Sequence, residues 1–100
     1  MQTTINCITS ELVKQKLDED NRIVVIDVRS KEEYHEKHIP GAIHIPLDEL
    51  ETAAIHFSNE KMYITVCGKG GGRSADASEK LIQAGFISAW LCGGTLGWFD

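Results

Sequence analysis

Residues 62–74 read MYITVCGKGGGRS, an apolar run that leads through a glycine-rich loop into the helical pattern of residues 75–84. A short apolar run that contains several β-branched residues is typical of a strand buried in a sheet. The stretch therefore predicts a strand, a loop and a helix in direct succession, which is the repeating unit of a parallel α/β sheet. Cys67 stands at the carboxyl end of this strand, where such sheets bind their ligands.

Cys67 is the candidate nucleophile of the chain. The N–H groups at the start of a helix, together with the helix dipole, favour a negative charge beside them. Lys69 and Arg73 add two cations to the same loop. Because these conditions favour the reactive thiolate over the thiol, we predict that Cys67 carries the chemistry.

The rest of the chain alternates between strand and helix patterns. Strands are predicted at 5–8, 23–26, 42–45 and 89–92, and helices from Thr9 or Ser10 to Asp18 and over 30–36, 47–57 and 75–84. Ser30 and Glu33 have the spacing of a helix capping box, and Pro40-Gly41 and Gly93-Gly94 predict turns. Gly85 is expected to end its helix. This order predicts an α/β fold with a mostly parallel sheet and helices on both faces.

Size and charge limit the function classes. The chain has 100 residues, a net charge of −5 and 42% hydrophobic residues, which predicts one domain over residues 1–100 with a substantial core. The acidic balance argues against nucleic acid or an anionic membrane as a partner. Since no stretch could span a bilayer and the first residues lack the pattern of a signal peptide, we expect a cytoplasmic protein.

The chain holds three cysteines, Cys7, Cys67 and Cys92. An odd number does not indicate a disulfide framework, and in a reducing compartment we expect thiols with at most one transient pair. The four histidines have no metal-ligand spacing with a pair of cysteines, so no metal site is predicted.

Several segments in a fixed order carry a family resemblance. They are Ile26-Asp27-Val28-Arg29 followed by Glu32-Glu33-Tyr34, HIPGAIHIP at 38–46, the loop from Cys67 to Ser74, Gly85-Phe86, and Leu91-Cys92-Gly93-Gly94 followed by Trp98. Together they resemble the rhodanese domain over nearly the whole chain. The segment at 38–46 is more specific than the one that precedes it.

The resemblance implies a rhodanese-like α/β fold with a five-stranded parallel sheet, whose first strand is an edge and whose last two strands are neighbours. It also implies a sulfurtransferase without a metal or organic cofactor. The Cys67 thiolate would take sulfane sulfur from thiosulfate or a similar small anionic donor and hold it as a persulfide. A thiol, a protein acceptor or cyanide would then remove that sulfur.

The same resemblance implies a substrate-binding loop. Its residues are Gly68, Lys69, Gly70, Gly71, Gly72, Arg73 and Ser74. Lys69 and Arg73 would hold the anionic end of the donor, while backbone N–H groups would surround the sulfur. Ser74 is expected to cap the following helix and to point its hydroxyl into the loop.

The loop departs from the family pattern in its length. Five residues separate Cys67 from Arg73, where four are usual, and this is the spacing of protein tyrosine phosphatases. On the rhodanese fold the longer loop resembles cell-cycle phosphatases and some arsenate reductases. However, residues 68–72 offer no general acid, and Val66 replaces the histidine usual before the cysteine of phosphatases. We therefore prefer sulfur transfer, with a phosphatase or arsenate reductase and a non-catalytic persulfide carrier as alternatives.

Two further positions near the predicted site have alternative interpretations. Cys92 ends a strand about 4.8 Å from that of Cys67, so it is either a small buried residue or a second thiol that resolves Cys67 into a disulfide. Arg29 is expected to pair with Glu32 or Glu33, and Asp27 either caps a turn or lines the mouth of the site.

Overall fold

The computed structural model describes residues 7–99. Its elements in chain order are β1 (Cys7–Ile8), α1 (Ser10–Glu19), β2 (Ile23–Asp27), α2 (Lys31–Glu36), β3 (Ile43–His44), α3 (Leu50–Ala53), β4 (Met62–Val66), α4 (Gly72–Gln83), β5 (Ile87–Leu91) and α5 (Gly94–Trp98). Short 3-10 turns over Leu47–Glu49 and Ala54–His56 flank α3. No helix within the described range is long and apolar enough to cross a membrane.

The five strands form one sheet in the order β1-β5-β4-β2-β3, and every pair is parallel. The expected sheet is confirmed, with β1 at an edge and β4 beside β5. In the centre of the sheet Asp27 of β2 is in register with Val66 of β4. Because the two strands end level with each other, the residues that follow them meet at the same edge.

Helices cover both faces of the sheet, as expected. Val25, Ile64 and Val66 point to one face, where they pack with Val13 of α1. Ile26 and Tyr63 point to the opposite face, where they pack with Leu50, Ala77 and Leu81 from α3 and α4. Side chains of neighbouring positions alternate between the two faces of a strand, so the continuous apolar runs of β2 and β4 supply both layers of the core.

Local signals in the sequence fix several helix ends as predicted. The Thr9 hydroxyl accepts the Leu12 N–H at the start of α1, and Ser30 and Glu33 make both bonds of a capping box at the start of α2. Gly41 has φ +86° in the turn after Pro40, where the Ala42 N–H bonds the Ile39 carbonyl. These contacts lie within a few residues of each other, which is why the sequence alone reveals them.

Other elements differ from the prediction. The helix expected over 47–57 is broken, because α3 has only four residues and neither it nor its flanking turns have a side-chain cap. Helix α4 begins at Gly72 instead of residue 75, and β5 covers Ile87–Leu91 instead of 89–92. The predicted Gly93-Gly94 turn leads directly into α5, with Gly93 in the left-handed conformation as its N-cap. Residues 5 and 6 of the first predicted strand lie outside the described residues.

Candidate active site

Cys67 lies where β4 ends, on the face of the sheet that α4 covers. Cys67 is 5% exposed, and residues 68–71 form the loop that connects it to α4. The structure therefore places the predicted nucleophile at the carboxyl edge of the parallel sheet. Gly70, Gly71 and Gly72 all have positive φ, a conformation that glycine adopts without steric cost.

The thiol has two hydrogen-bonding neighbours. Its Sγ donates to the Gly71 carbonyl at 3.0 Å and lies 3.2 Å from the Ser74 Oγ, which in turn donates to the Gly71 carbonyl at 2.9 Å. Among residues 7–99 no loop amide donates to the sulfur, although an amide cradle was expected around it. A carbonyl takes that place because a protonated thiol is a donor and needs an acceptor.

Ser74 points its hydroxyl into the loop, as predicted, but it does not cap α4. It is the third residue of that helix, and both its N–H and its O–H bond the Gly71 carbonyl. Gly71 is the N-cap and has no side chain to offer. The Ser74 carbonyl accepts the buried Thr65 hydroxyl at 2.7 Å, which fixes the start of α4 against β4.

The turn into α5 forms the floor of the Cys67 loop. The N–H of Thr95 donates to the Cys67 carbonyl at 2.9 Å and that of Leu96 to the Gly68 carbonyl at 3.1 Å. A methyl group on Gly94 would lie 2.5 Å from the Cys67 carbonyl oxygen, so only glycine allows this close approach. Sequence reasoning missed this contact, for which the Gly93-Gly94 pair was the available signal.

Arg73 binds Glu33 of α2. Two parallel bonds join the guanidinium to the carboxylate, at 2.9 Å from Nη1 to Oε1 and 3.2 Å from Nη2 to Oε2. The Arg73 hydrogen bonds, followed by the Ser30 backbone N–H, lower the pKa of Glu33 to about 2. The pKa of Arg73 is raised, first by its hydrogen bonds to Glu33 and also by the negative charge of that carboxylate. Glu33, which was predicted as a possible partner of Arg29, is therefore the partner of Arg73.

Arg29 pairs instead with Asp27, which corrects the expected pair with Glu32 or Glu33. The two side chains are 8% and 1% exposed, and the Arg29 Nη2 lies 2.7 Å from the Asp27 Oδ2. The backbone N–H of Arg29 and the carbonyl of Lys37 complete the network. Asp27 is buried in this pair rather than exposed at the mouth of the site.

Cys92 is not available to Cys67 in this structure. It forms a disulfide with Cys7 of the edge strand, with the two Cα atoms 5.1 Å apart. Cys67 is the free cysteine of the described range. The predicted role of Cys92 as a second thiol that resolves Cys67 is therefore wrong. The sequence allowed for one cysteine pair, and the structure forms it between Cys7 and Cys92, because β1 pairs beside β5 and brings Cys7 to the end of that strand.

A cavity of about 500 Å³ opens between α2 and α5, and none of residues 67–74 lines it. Its lining includes Glu33, Thr95, Leu96 and Phe99. Leu96 and Phe99 are 62% and 43% exposed, so the mouth combines charged and apolar groups. Within residues 7–99 no group of three His, Cys, Asp or Glu side chains is placed to hold a metal ion.

Comparison with known proteins identifies the family. The family model of the rhodanese-like domain matches residues 9–100. The chain is 42% identical over 80 residues to the "Putative sulfur carrier protein YrkF" of Bacillus subtilis, covering 79% of this chain and 42% of that protein. It is 32% identical over 89 residues to the thiosulfate sulfurtransferase GlpE of Coxiella burnetii, covering 88% of this chain and 78% of that protein.

A solved structure agrees with these relatives. The rhodanese-like domain protein from Staphylococcus aureus matches this chain with a TM-score of 0.85 and 34% identity, over 96% of this chain and 93% of its own. The chain spans less than half of the length of the sulfur carrier, but most of the sulfurtransferase. Both relatives support sulfur transfer as the general activity, and the chain belongs to the rhodanese-like domain family.

Proposed function

We propose that this protein transfers sulfane sulfur through a persulfide on Cys67. The observation that carries the proposal is the position of Cys67, the free cysteine of residues 7–99, at the carboxyl edge of the sheet and at the start of a glycine-rich loop. The sulfurtransferase and carrier names of the relatives point to the same chemistry.

The reaction needs no redox partner. The Cys67 thiolate attacks the sulfane sulfur of thiosulfate, a bond forms between the two sulfur atoms, and the sulfur–sulfur bond of the donor breaks with its electron pair leaving on sulfite. An acceptor such as a thiolate or cyanide then attacks the outer sulfur of the persulfide. The Cys67 thiolate leaves and is ready for the next donor.

The loop must rearrange when Cys67 loses its proton. The Gly71 carbonyl now faces the sulfur at 3.0 Å, and its partial negative charge would repel a thiolate or a persulfide. Rotation of the peptide between Gly71 and Gly72 would replace this carbonyl with an N–H group. Such a rotation changes ψ of Gly71 and turns the positive φ of Gly72 negative, and glycine adopts both signs of φ.

Oxyanion chemistry and a non-catalytic persulfide carrier are the two alternative functions. Five residues between Cys67 and Arg73 favour oxyanion chemistry, in which the longer loop would hold phosphate or arsenate. That activity requires Arg73 to leave Glu33 for the oxyanion and a general acid for the leaving oxygen. A persulfide carrier would load sulfur once and turn over slowly with small acceptors.

The test is the formation of thiocyanate from thiosulfate and cyanide, with phosphate-ester hydrolysis and arsenate reduction measured in parallel. We expect thiocyanate from the unaltered protein and none above background from Cys67→Ser. The double variant Cys7→Ser/Cys92→Ser serves as the control, because it removes the disulfide outside the site and leaves no new thiol. Hydrolysis or arsenate reduction without thiocyanate would contradict sulfur transfer, and loading without turnover would indicate the carrier.

A further inference from the structure

Glu33 neutralises the loop cation that an anionic donor needs. The carboxylate meets Arg73 in two parallel hydrogen bonds of 2.9 and 3.2 Å, the arrangement in which arginine binds carboxylates most strongly. A sulfonate group of a donor would use the same two N–H groups. Donor and Glu33 therefore compete for one site on Arg73.

The second arginine near the loop is also occupied. Arg29 is held by Asp27 and by the Lys37 carbonyl, and both members of the ion pair are almost completely buried. Lys69, in contrast, is an exposed residue of the loop. Arg73 and Arg29 are each balanced by a carboxylate, whereas Lys69 has no ion-pair partner among residues 7–99.

We propose that Glu33 sets the donor specificity of this site, by holding Arg73 so that donors of low negative charge are preferred to the dianion thiosulfate. This inference rests on the proposed sulfur transfer. The preferred donors would be organic thiosulfonates and related monoanions. Glu33 acts through Arg73 and does not touch the reacting sulfur, so it is a positioning residue.

The Arg73–Glu33 ion pair is accessible, so an anionic donor can compete with Glu33 for Arg73. The side chains of Arg73 and Glu33 are 44% and 39% exposed, so a dissolved donor can reach the pair. Glu33 is fixed on its other side, because its carboxylate also accepts the backbone N–H of Ser30 at 3.0 Å. Its pKa of about 2 keeps it ionised at every pH at which a sulfurtransferase would be assayed.

Thiosulfate and methanethiosulfonate form a matched pair of donors. The second replaces one charged oxygen of thiosulfate with a methyl group, so the shape is similar and the charge is −1 instead of −2. In both reactions the Cys67 thiolate takes the sulfane sulfur, and the leaving group is sulfite from the first donor and methanesulfinate from the second. The total charge is conserved in each step.

The test compares Glu33→Gln with the unaltered protein on both donors at low ionic strength. The substituted glutamine keeps an oxygen for the Ser30 N–H but removes the charge. We expect the KM for thiosulfate to fall about tenfold and that for methanethiosulfonate about threefold, with little change in kcat, because Coulomb energy is proportional to the charge of the donor. Added salt should reduce both effects.

Two variants keep the test specific. Glu32→Gln removes the same charge from the neighbouring position of α2, outside the ion pair, and should leave the ratio of the two KM values unchanged. Glu33→Asp keeps the charge and should retain most of the original donor preference. A purely structural role for Glu33 would alter both donors equally, and this result would overturn the proposal.

Failure of the donor-specificity proposal can be separated from failure of the proposed function. If Cys67 gains sulfur from both donors but Glu33→Gln leaves their KM ratio unchanged, only the role of Glu33 is contradicted. If Cys67 gains sulfur from neither donor, the persulfide mechanism itself fails. Loss of kcat in Glu33→Gln together with an unchanged KM ratio in Glu33→Asp and Glu33→Gln would also overturn the proposal.

Discussion

At the scale of single residues, two Asp-x-Arg segments share the same internal hydrogen bonds but differ in burial. In each, the aspartate accepts the backbone N–H and the guanidinium of the arginine two positions later. Asp20 and Arg22 are 34% and 66% exposed, whereas Asp27 and Arg29 are 1% and 8% exposed. The two segments are alike in sequence, and the sequence did not show that Arg29 pairs with Asp27 instead of Glu32 or Glu33.

Asp27→Asn should be strongly destabilising. It leaves the charge of Arg29 buried without a partner, and removal of one member of a buried ion pair costs about 3–5 kcal/mol of unfolding free energy. Asp20→Asn is the matched control and should have a much smaller effect, because water replaces the lost carboxylate. Urea unfolding measures both, and equal losses would contradict the assignment of Asp27 as a buried partner.

The Glu33–Arg73 pair makes a contribution to stability that depends on pH. The folded pKa of Glu33 is lowered from 4.5 to about 2, so its ionised form stabilises the fold above pH 4.5, and this contribution is lost as the pH falls through about 2. Glu33→Gln should therefore destabilise the protein at neutral pH, with a difference that shrinks across this window. In an Arg73→Met background the difference should be much smaller at every pH, and an undiminished difference there would contradict the pair as its cause.

At the scale of elements, the Cys67 loop depends on the turn that starts α5. The capping box of α2 could be predicted because its partners are three residues apart. The floor of the loop could not be predicted in this way, because it joins carbonyls of Cys67 and Gly68 to N–H groups of Thr95 and Leu96 far along the chain. The strand and loop around Cys67 were predictable, while what supports them was not.

Gly94→Ala should damage both the fold and the site. The added methyl group would lie 2.5 Å from the Cys67 carbonyl oxygen, at a residue whose φ is +62°. Gly41→Ala is the control, because Gly41 also has positive φ but no atom lies within 4 Å of the added group. We expect Gly41→Ala to cost about 1–2 kcal/mol of unfolding free energy from backbone strain and to load sulfur normally.

Gly94→Ala should lose more stability than Gly41→Ala in the same urea titration. It should also load sulfur more slowly, because the loop must move away from α5 to admit the methyl group. If the two variants unfolded at the same urea concentration and loaded sulfur equally, the close contact between the turn and the loop would be refuted.

At the scale of the whole molecule, the Cys7–Cys92 disulfide joins the edge strand to the last strand across 85 residues of sequence. Strand β1 has only two residues, so the covalent bond supplements a short hydrogen-bonded pairing. The parallel sheet was predictable from the alternation of strands and helices. The disulfide was not predictable, because three cysteines do not reveal which two pair unless the position of the edge strand is known. The ion pair of Arg73 with Glu33 was not predictable for the same reason, since its partners lie 40 residues apart.

Loss of this disulfide should destabilise the protein without stopping sulfur transfer. A crosslink across so long a loop contributes about 2–5 kcal/mol, mainly by restricting the unfolded chain. Cys7→Ser, Cys92→Ser and the double variant should all lose the same amount in urea unfolding, since each removes the same bond. A double variant that loses twice as much as either single variant would show that the two residues act separately.

Intact mass after brief exposure of the protein to thiosulfate, followed by peptide mapping, tests the central claim most directly. The persulfide mechanism predicts a gain of one sulfur atom per chain, located on the peptide that contains Cys67, absent from Cys67→Ser and removed by cyanide as thiocyanate. A sulfur atom found on Cys7 or Cys92, or its retention in Cys67→Ser, would contradict the assignment of Cys67 as the residue that carries sulfur.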